Sequence, residues 1–91
     1  MKDIVKIRKQ GKFYVVYEDD SYVINAIMGY KVSNGKIGFP ENSLGKVTNA
    51  FEEYKINYQI IENEKEVSSK KFSKNKYREY LTKGKKNMIV F

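Results

Sequence analysis

The sequence predicts a small α/β domain whose β-sheet is mixed. Short β-rich runs alternate with segments in which apolar residues recur at helical spacing, and that alternation is typical of α/β folds. Tight-turn residues separate two pairs of these runs, so antiparallel hairpins are expected beside parallel strands. The expected order is ββαββαβα(β), and 91 residues allow one domain, residues 1–91.

Two strands are expected first. Residues 4–8 nearly alternate apolar and basic side chains, as a half-exposed strand does. Residues 13–17 are apolar on both faces and rich in β-formers, which indicates a central strand. Gln10 and Gly11 between the two runs favour a tight hairpin.

A short helix and a second hairpin are expected next. An acidic pair suits the N-cap of a helix over residues 19–28, and Gly29 suits its left-handed C-cap. Asn34-Gly35, the strongest two-residue hairpin signal, lies between two further β-runs, residues 30–33 and 36–39.

A longer helix and a strand open the second half. Apolar residues recur at i, i+3, i+7 and i+10 in residues 44–54, which predicts a core-facing helical stripe with Asn42 or Ser43 as N-cap. Residues 56–61 are expected to form a strand and residues 63–69 a polar loop.

The last part of the chain predicts a third helix. That helix is expected over residues 73–82, with Gly84 ending it. Residues 88–91 are apolar and could add an edge strand.

The positive charge is concentrated in the last third of the chain. Eighteen Lys and Arg residues against eleven Asp and Glu give a net charge of +7. Residues 1–63 carry nine bases and eight acids, a net of +1, whereas residues 64–91 carry nine bases and three acids, a net of +6. This basic segment is expected either to solubilise the chain or to contact a phosphate backbone. Its candidate phosphate contacts are Lys70, Lys71, Lys74, Lys76, Arg78, Lys83, Lys85 and Lys86.

Two residue types that many sites require are missing. The chain has no Cys and no His, which excludes disulfides, Cys/His zinc sites, thiol nucleophiles and imidazole-based catalysis. No G-x-x-x-x-G-K-[ST] motif occurs, so no nucleotide site is expected. We therefore expect no enzyme, no metal and no cofactor. No apolar run reaches the ~20 residues of a membrane span, so a cytoplasmic location without membrane contact is expected.

Eight tyrosines are distributed along this lysine-rich chain. Tyrosine interleaved with lysine can stack on unpaired bases. It can also fill the edge of a small core with its hydroxyl group facing water. The sequence leaves both uses open.

Four short segments resemble one family, in the same order. Gly-Lys-Phe-Tyr at 11–14 and Tyr-Glu-Asp-Asp at 17–20 are similar to the stretch G-x-F-Y-E-x-F-x-x-D-A of the N-terminal mismatch-recognition domain of the MutS family. Gly-Phe-Pro at 38–40 and Tyr-Gln-Ile-Ile-Glu at 58–62 are similar to that domain's G-I-P…helix…V-A-I-C-E segment. The resemblance covers residues 4–62 and implies a mixed α/β fold.

The resemblance also implies a role for Phe13. In the family this phenylalanine wedges into the base stack from the minor groove, and a Glu two positions later hydrogen-bonds the displaced base. Val15 stands at the Glu position and cannot form that bond, so little discrimination between mismatched and perfect duplexes is expected. From the residues alone, Phe13 could instead be a core residue. Arg8, Lys9 and Lys12 are the expected phosphate contacts beside the wedge, the alternative being a solvated hairpin.

These observations predict a non-catalytic nucleic-acid-binding module, with DNA as the expected ligand and phosphate contacts as the main interaction. The alternative is a protein-interaction or inhibitor module that uses the same fold as a scaffold. A contiguous apolar patch would favour a protein partner, and a continuous positive stripe would favour nucleic acid.

Overall fold

The computed structural model describes residues 3–87, which form a five-stranded mixed sheet and three α-helices. The strands are β1 (Val5–Gln10), β2 (Phe13–Tyr17), β3 (Lys36–Pro40), β4 (Tyr58–Glu62) and β5 (Lys65–Lys70). The helices are α1 (Asp19–Met28), α2 (Leu44–Tyr54) and α3 (Tyr77–Asn87), with a 3₁₀ turn (Glu41–Ser43) before α2. The predicted α/β class and the mixed sheet are confirmed.

The strand order in the sheet is β3-β2-β1-β4-β5, so the first strand of the chain lies in the middle. The pairs β1–β2, β2–β3 and β4–β5 are antiparallel, and β1–β4 is parallel. A parallel pair needs a crossover connection, and α2 lies on the segment that returns the chain to β4. β2 lies between β3 and β1 and is thus an inner strand, as its apolar sequence predicts.

The core lies between one face of the sheet and the three helices. β1 buries every second residue, Val5 and Ile7, because side chains alternate between faces along a strand. The predicted stripe of α2 is confirmed where it is deepest, since Val47 and Phe51 are fully buried. The basic segment contributes to the same core through α3, whose buried apolar residues include Leu81.

The start of α1 differs from the prediction. Its N-cap is Glu18, at φ 51°, and no side chain caps the helix there. The Asp20 carboxylate instead accepts hydrogen bonds from the backbone N–H of Lys6 (2.9 Å) and the hydroxyl of Tyr77 (2.6 Å), so it ties together β1, α1 and α3. The C-cap prediction is confirmed: Gly29 has a left-handed conformation and its N–H binds the Asn25 carbonyl.

The second predicted hairpin is wrong in its first strand. Residues 30–33 form no strand, and only the isolated bridge between Ser33 and Lys36 surrounds the Asn34-Gly35 turn. The chain enters this turn from α1, and β3 pairs with β2. The turn predicted at Asn34-Gly35 is confirmed, since both residues have positive φ, but it closes a short loop instead of a hairpin.

The predicted polar loop 63–69 is also wrong, since most of it is β5. Every residue of β5 is exposed, and the strand exists through backbone pairing with β4, with a bulge between Ile60 and Ile61. Asn63 and Glu64 make the reversal, both with positive φ.

The third helix begins and ends later than predicted. α3 starts at Tyr77 rather than at residue 73, and Gly84 lies inside it and is buried. A Cβ at Gly84 would overlap the carbonyl group of Tyr22 in α1, so glycine permits close approach of the two helix backbones. The edge strand predicted for residues 88–91 lies outside the described residues.

Candidate nucleic-acid interface

One face of the sheet carries no helix within residues 3–87. The buried residues of the helices join the core on the face that holds Val5, Ile7 and Val16. Residues that alternate with these along the strands form the opposite face, which we name the open face. The open face comprises Lys6, Arg8, Gln10, Phe13, Val15, Tyr17, Lys36, Gly38, Pro40, Gln59, Ile61, Glu66 and Ser69.

Phe13 projects from the open face and is 52% exposed. It pairs with Gln10 in β1 and with Pro40 in β3, at the end of the sheet next to the Gly11 turn. The interpretation of Phe13 as a core residue is therefore wrong. The core position next to it belongs to Tyr14, whose ring stacks with Phe39 on the covered face.

Tyr17 is the second aromatic residue of the open face, and two lysines flank it. Lys36 of β3 is its partner on one side. Lys6 lies on the other side, because the antiparallel register that pairs Arg8 with Val15 brings Lys6 opposite Tyr17 two residues further along. Arg8 lies one row further along the sheet, opposite Val15 and so between the levels of Tyr17 and Phe13. Three cations are thus interleaved with two rings.

A hydrogen bond crosses the open face between the Gln10 amide, which donates, and the Tyr17 hydroxyl. Tyr17 lies four residues beyond Phe13, the partner of Gln10, so the two backbones are about 13 Å apart along the strands. Both side chains must therefore extend along the sheet surface toward each other. They pass over the pair Arg8–Val15, and Val15 is only 8% exposed although it lies on the open face.

The three cations predicted beside Phe13 do not lie on the same face of the sheet. Arg8 is exposed on the open face. Lys9 points to the other side, where it forms an ion pair with Glu41 (3.3 Å) and lies over the Tyr14 ring. Lys12 is exposed in the turn beside Phe13.

The bases of α3 lie on the covered side of the sheet, away from Phe13. α3 packs against α1, and three of its cations form ion pairs: Arg78 with Asp3 (2.8 Å), Lys83 with Glu79 (3.8 Å) and Lys85 with Asp19 (3.7 Å). These are exposed contacts of small energetic value, but they place an acid beside each cation. The structure therefore distributes the positive charge of the segment and does not present it as one stripe.

Five further bases of the segment lie in three places. Lys74 and Lys76 precede α3 and line a small cavity with Lys55 and Phe72, whereas Lys86 is exposed in the last turn of α3. Lys70 and Lys71 lie at the end of β5.

Lys71 adjoins the open face. It lines a cavity of about 420 Å³ at one end of the sheet, together with Lys6, Gln59 and Glu66 of the open face. The Gln59 amide donates a hydrogen bond to the Glu66 carboxylate there. The row Lys36–Tyr17–Lys6–Gln59 thus leads across four strands to this cavity.

The covered face has a different chemistry, in which tyrosine hydroxyls meet carboxylates at the margins of the core. Tyr14 donates to Glu62 and Tyr58 donates to Glu52, both at 2.8 Å. Burial, with the adjacent carboxylate, raises the pKa of each of these tyrosines to about 12. These pairs close the margins of the core.

The pair of Tyr77 with Asp20 is of the same kind. Burial raises the pKa of Tyr77, and the bond to Asp20 raises it further. Burial also raises the pKa of the Asp20 carboxyl, against the opposing effect of its two hydrogen bonds.

No group of three or more Asp and Glu side chains between residues 3 and 87 is placed to hold a metal ion. No helix in that range is both long enough and apolar enough to cross a membrane.

Comparison with family models found no match, and comparison with curated proteins found none either. The resemblance to the MutS recognition domain stays a prediction from sequence. Lys6 and Lys36, which flank Tyr17, were not among the residues singled out from the sequence. The alternation of residues 4–8 places Lys6 beside Arg8 on one face, but the position of Lys36 depends on pairing between distant segments.

Proposed function

We propose that this chain is a non-catalytic nucleic-acid-binding module, with DNA as the ligand, and that the open face is its binding surface. The observation that carries the proposal is the half-exposed Phe13 on a sheet face that also holds Lys6, Arg8 and Lys36. The strand residues of this face include one acid, Glu66. At the end of the face, three further acids line a cavity with Lys6 and Tyr17, namely Glu18, Asp19 and Asp20. An exposed aromatic ring among cations is suited to bases and phosphates together.

The chemistry of the face favours phosphate contacts over base recognition by hydrogen bonds. Lys6, Arg8 and Lys36 are exposed, and Lys12 adds a fourth cation in the adjacent turn. Each can neutralise a phosphate without reading sequence. Val15, next to Phe13 on the same face, offers no polar atom and is covered, so we expect little discrimination between mismatched and perfect duplexes.

The salt dependence of binding distinguishes this surface from the basic segment. Four phosphate contacts to a duplex give a log–log slope of about −3.6 against salt concentration. Six to eight contacts, as expected if the bases of residues 64–91 acted together, would give a slope of about −5 to −7.

The test is fluorescence anisotropy with a short labelled DNA duplex at several salt concentrations. The double variant Arg8→Gln, Lys36→Gln should weaken binding and make the slope shallower by about 1.8. The matched control, Lys83→Gln with Lys86→Gln, removes the same charge from α3 and should leave binding nearly unchanged.

Two results would overturn the proposal. One is the absence of binding to any nucleic acid at low salt. The other is an equal loss of affinity in the two double variants, because that would show a response to net charge rather than to the open face.

The alternative, a protein-interaction or inhibitor module, needs a contiguous apolar patch. The strongly exposed apolar strand residues are Phe13 on β2 and Val67 on β5, and two strands separate them. That separation favours the nucleic-acid proposal.

A further inference from the structure

We infer that the open face is a stacking platform for unpaired bases, so that its ligand is a single-stranded segment of nucleic acid. This inference rests on the proposed function and specifies its ligand. It comes from the course of the Tyr17 side chain, the exposure of two rings on one face and the positions of the cations.

The Tyr17 side chain lies along the sheet. Its hydroxyl reaches the Gln10 amide across the Arg8–Val15 pair, which requires an extended side chain held close to the surface. A side chain in this position does not project from the sheet as a wedge, and Tyr17, which is 36% exposed, is accessible to a base that lies over the sheet.

Two exposed rings on one strand favour unpaired bases. Phe13 and Tyr17 lie on the same face of β2, and the Tyr17 side chain extends from its backbone position, about 13 Å away, toward the end of the sheet that holds Phe13. A duplex keeps its base faces stacked at ~3.4 Å and would have to open to present one to either ring, at a cost of a few kcal/mol for each step. A single strand presents its base faces without that cost.

The cations follow the same path. Lys36 and Lys6 lie on the two sides of Tyr17, and Arg8 lies between the two aromatic levels. Beyond Lys6, the row continues to the far side of the sheet through the cavity that Gln59 and Lys71 line together with the acids Asp3 and Glu66. A flexible backbone crossing the sheet can place phosphates on these cations while its bases turn toward the rings.

The experiment compares the full chain binding to labelled oligothymidylate, oligouridylate and a DNA duplex of equal length at low salt. We expect at least one single strand to bind more tightly than the duplex, with a slope against salt of about −2.8 for four phosphate contacts. Stacking does not distinguish the two sugars, so tight binding of either single strand supports the inference.

Ring variants test the platform itself. Phe13→Leu and Tyr17→Leu should each weaken single-strand binding by between about 5-fold and about 150-fold, the range expected for one stacked base. Tyr54→Leu is the matched control, because Tyr54 is 37% exposed and Tyr17 is 36% exposed, but Tyr54 belongs to α2 on the covered side. Tyr17→Phe keeps the ring and should keep most of the affinity.

The outcomes separate the two proposals. If the duplex binds and neither single strand binds as tightly, the single-strand inference is wrong while the proposed function stands. If no nucleic acid binds, both are wrong. Ring variants that bind single strands as well as Tyr54→Leu does would overturn the stacking platform alone.

Discussion

The two faces of the sheet use similar residues for different purposes. β2 and β3 each carry a phenylalanine, and the two residues stand in adjacent cross-strand pairs. Phe39 is 2% exposed beneath the helices, whereas Phe13 is 52% exposed on the open face. The covered face holds the fold together through apolar contact and buried hydrogen bonds. The open face carries no helix among residues 3–87, and we expect it to contribute less to stability.

The largest difference between the faces should appear when each phenylalanine is truncated. Phe39→Ala should lower the free energy of unfolding by about 3–5 kcal/mol, because it removes a buried ring and leaves a cavity. Phe13→Ala should cost less than about 1 kcal/mol, as exposed positions do. Urea denaturation followed by circular dichroism measures both. Similar losses in the two variants would contradict the division between the faces.

The contact between α1 and α3 should be nearly as sensitive. Gly84→Ala places a methyl group against the backbone of Tyr22, which cannot rotate away, so we expect a loss of about 3 kcal/mol. Gly45→Ala in α2 is the control, because a Cβ there meets no atom within 4 Å. Alanine at that helical position should raise stability by up to about 1 kcal/mol. A Gly84→Ala protein as stable as the unmodified chain would refute the close approach.

The bond between Tyr77 and Asp20 should have an intermediate effect. Tyr77→Phe leaves one partly buried carboxylate oxygen of Asp20 without its partner and should cost about 1–3 kcal/mol. The control is Tyr80→Phe, because Tyr80 also belongs to α3 but its ring packs against Tyr54.

The same carboxyl group makes stability depend on pH. Burial raises the pKa of Asp20 above 3.8, so the protonated form favours folding. The stability from this group is fully present below pH ~4 and is lost as the pH rises through the raised pKa. Tyr77→Phe removes a bond that lowers that pKa, so it should move this loss to higher pH, as thermal unfolding across acidic pH would show. An unchanged profile would show that Asp20 does not titrate with folding.

The smallest effect is expected at the margin of the covered face. Glu62→Gln removes the carboxylate that accepts from Tyr14, so the pKa of Tyr14 should fall from about 12 toward 10 while burial keeps it above 10. The raised pKa stabilises the fold fully below pH 10, and that contribution is lost between pH 10 and about 12. Ring-labelled tyrosine NMR resolves the titration. Glu53→Gln is the control at an exposed helical position, and an equal shift there would contradict the assignment.

The elements with a strong local pattern could be predicted from the sequence. The alternation in β1 buries Val5 and Ile7, and the stripe of α2 buries Val47 and Phe51, whereas Tyr54 at the end of that stripe is exposed. The apolar run of β2 forms an inner strand, although its two terminal residues are exposed. The left-handed cap at Gly29 follows from a purely local requirement of the backbone.

The elements that depend on distant partners could not be predicted in this way. β5 has no buried side chain and is a strand because β4 offers it backbone hydrogen bonds. From its neighbours in the sequence, Gly84 predicts the end of a helix. Its actual place inside α3 depends on the close contact with Tyr22 in another helix, which the local sequence does not show.

The candidate site shows the same limit. The sequence predicts Phe13, Arg8 and Lys12 near one another, and the structure leaves all three exposed. Phe13 and Arg8 lie on the open face, and Lys12 lies in the turn beside Phe13. The place of Lys36 beside Tyr17 depends on the order β3-β2-β1, which no local pattern specifies. The bases of α3 point away because burial of Tyr77 and Leu81 decides which side of that helix faces outward.

The parallel pairing of β1 with β4 also governs how fast the chain can fold. Val5 pairs with Tyr58, so β2, α1, β3 and α2 all lie in the loop that must close before the middle of the sheet is complete. The chain loses the entropy of closing that loop before the contact between β1 and β4 stabilises it. We therefore expect this pairing to form at the folding transition state. We expect Ile60→Val to slow refolding and Leu81→Ala chiefly to speed unfolding in stopped-flow experiments. The reverse pattern would place the docking of α3 before the closure of the sheet.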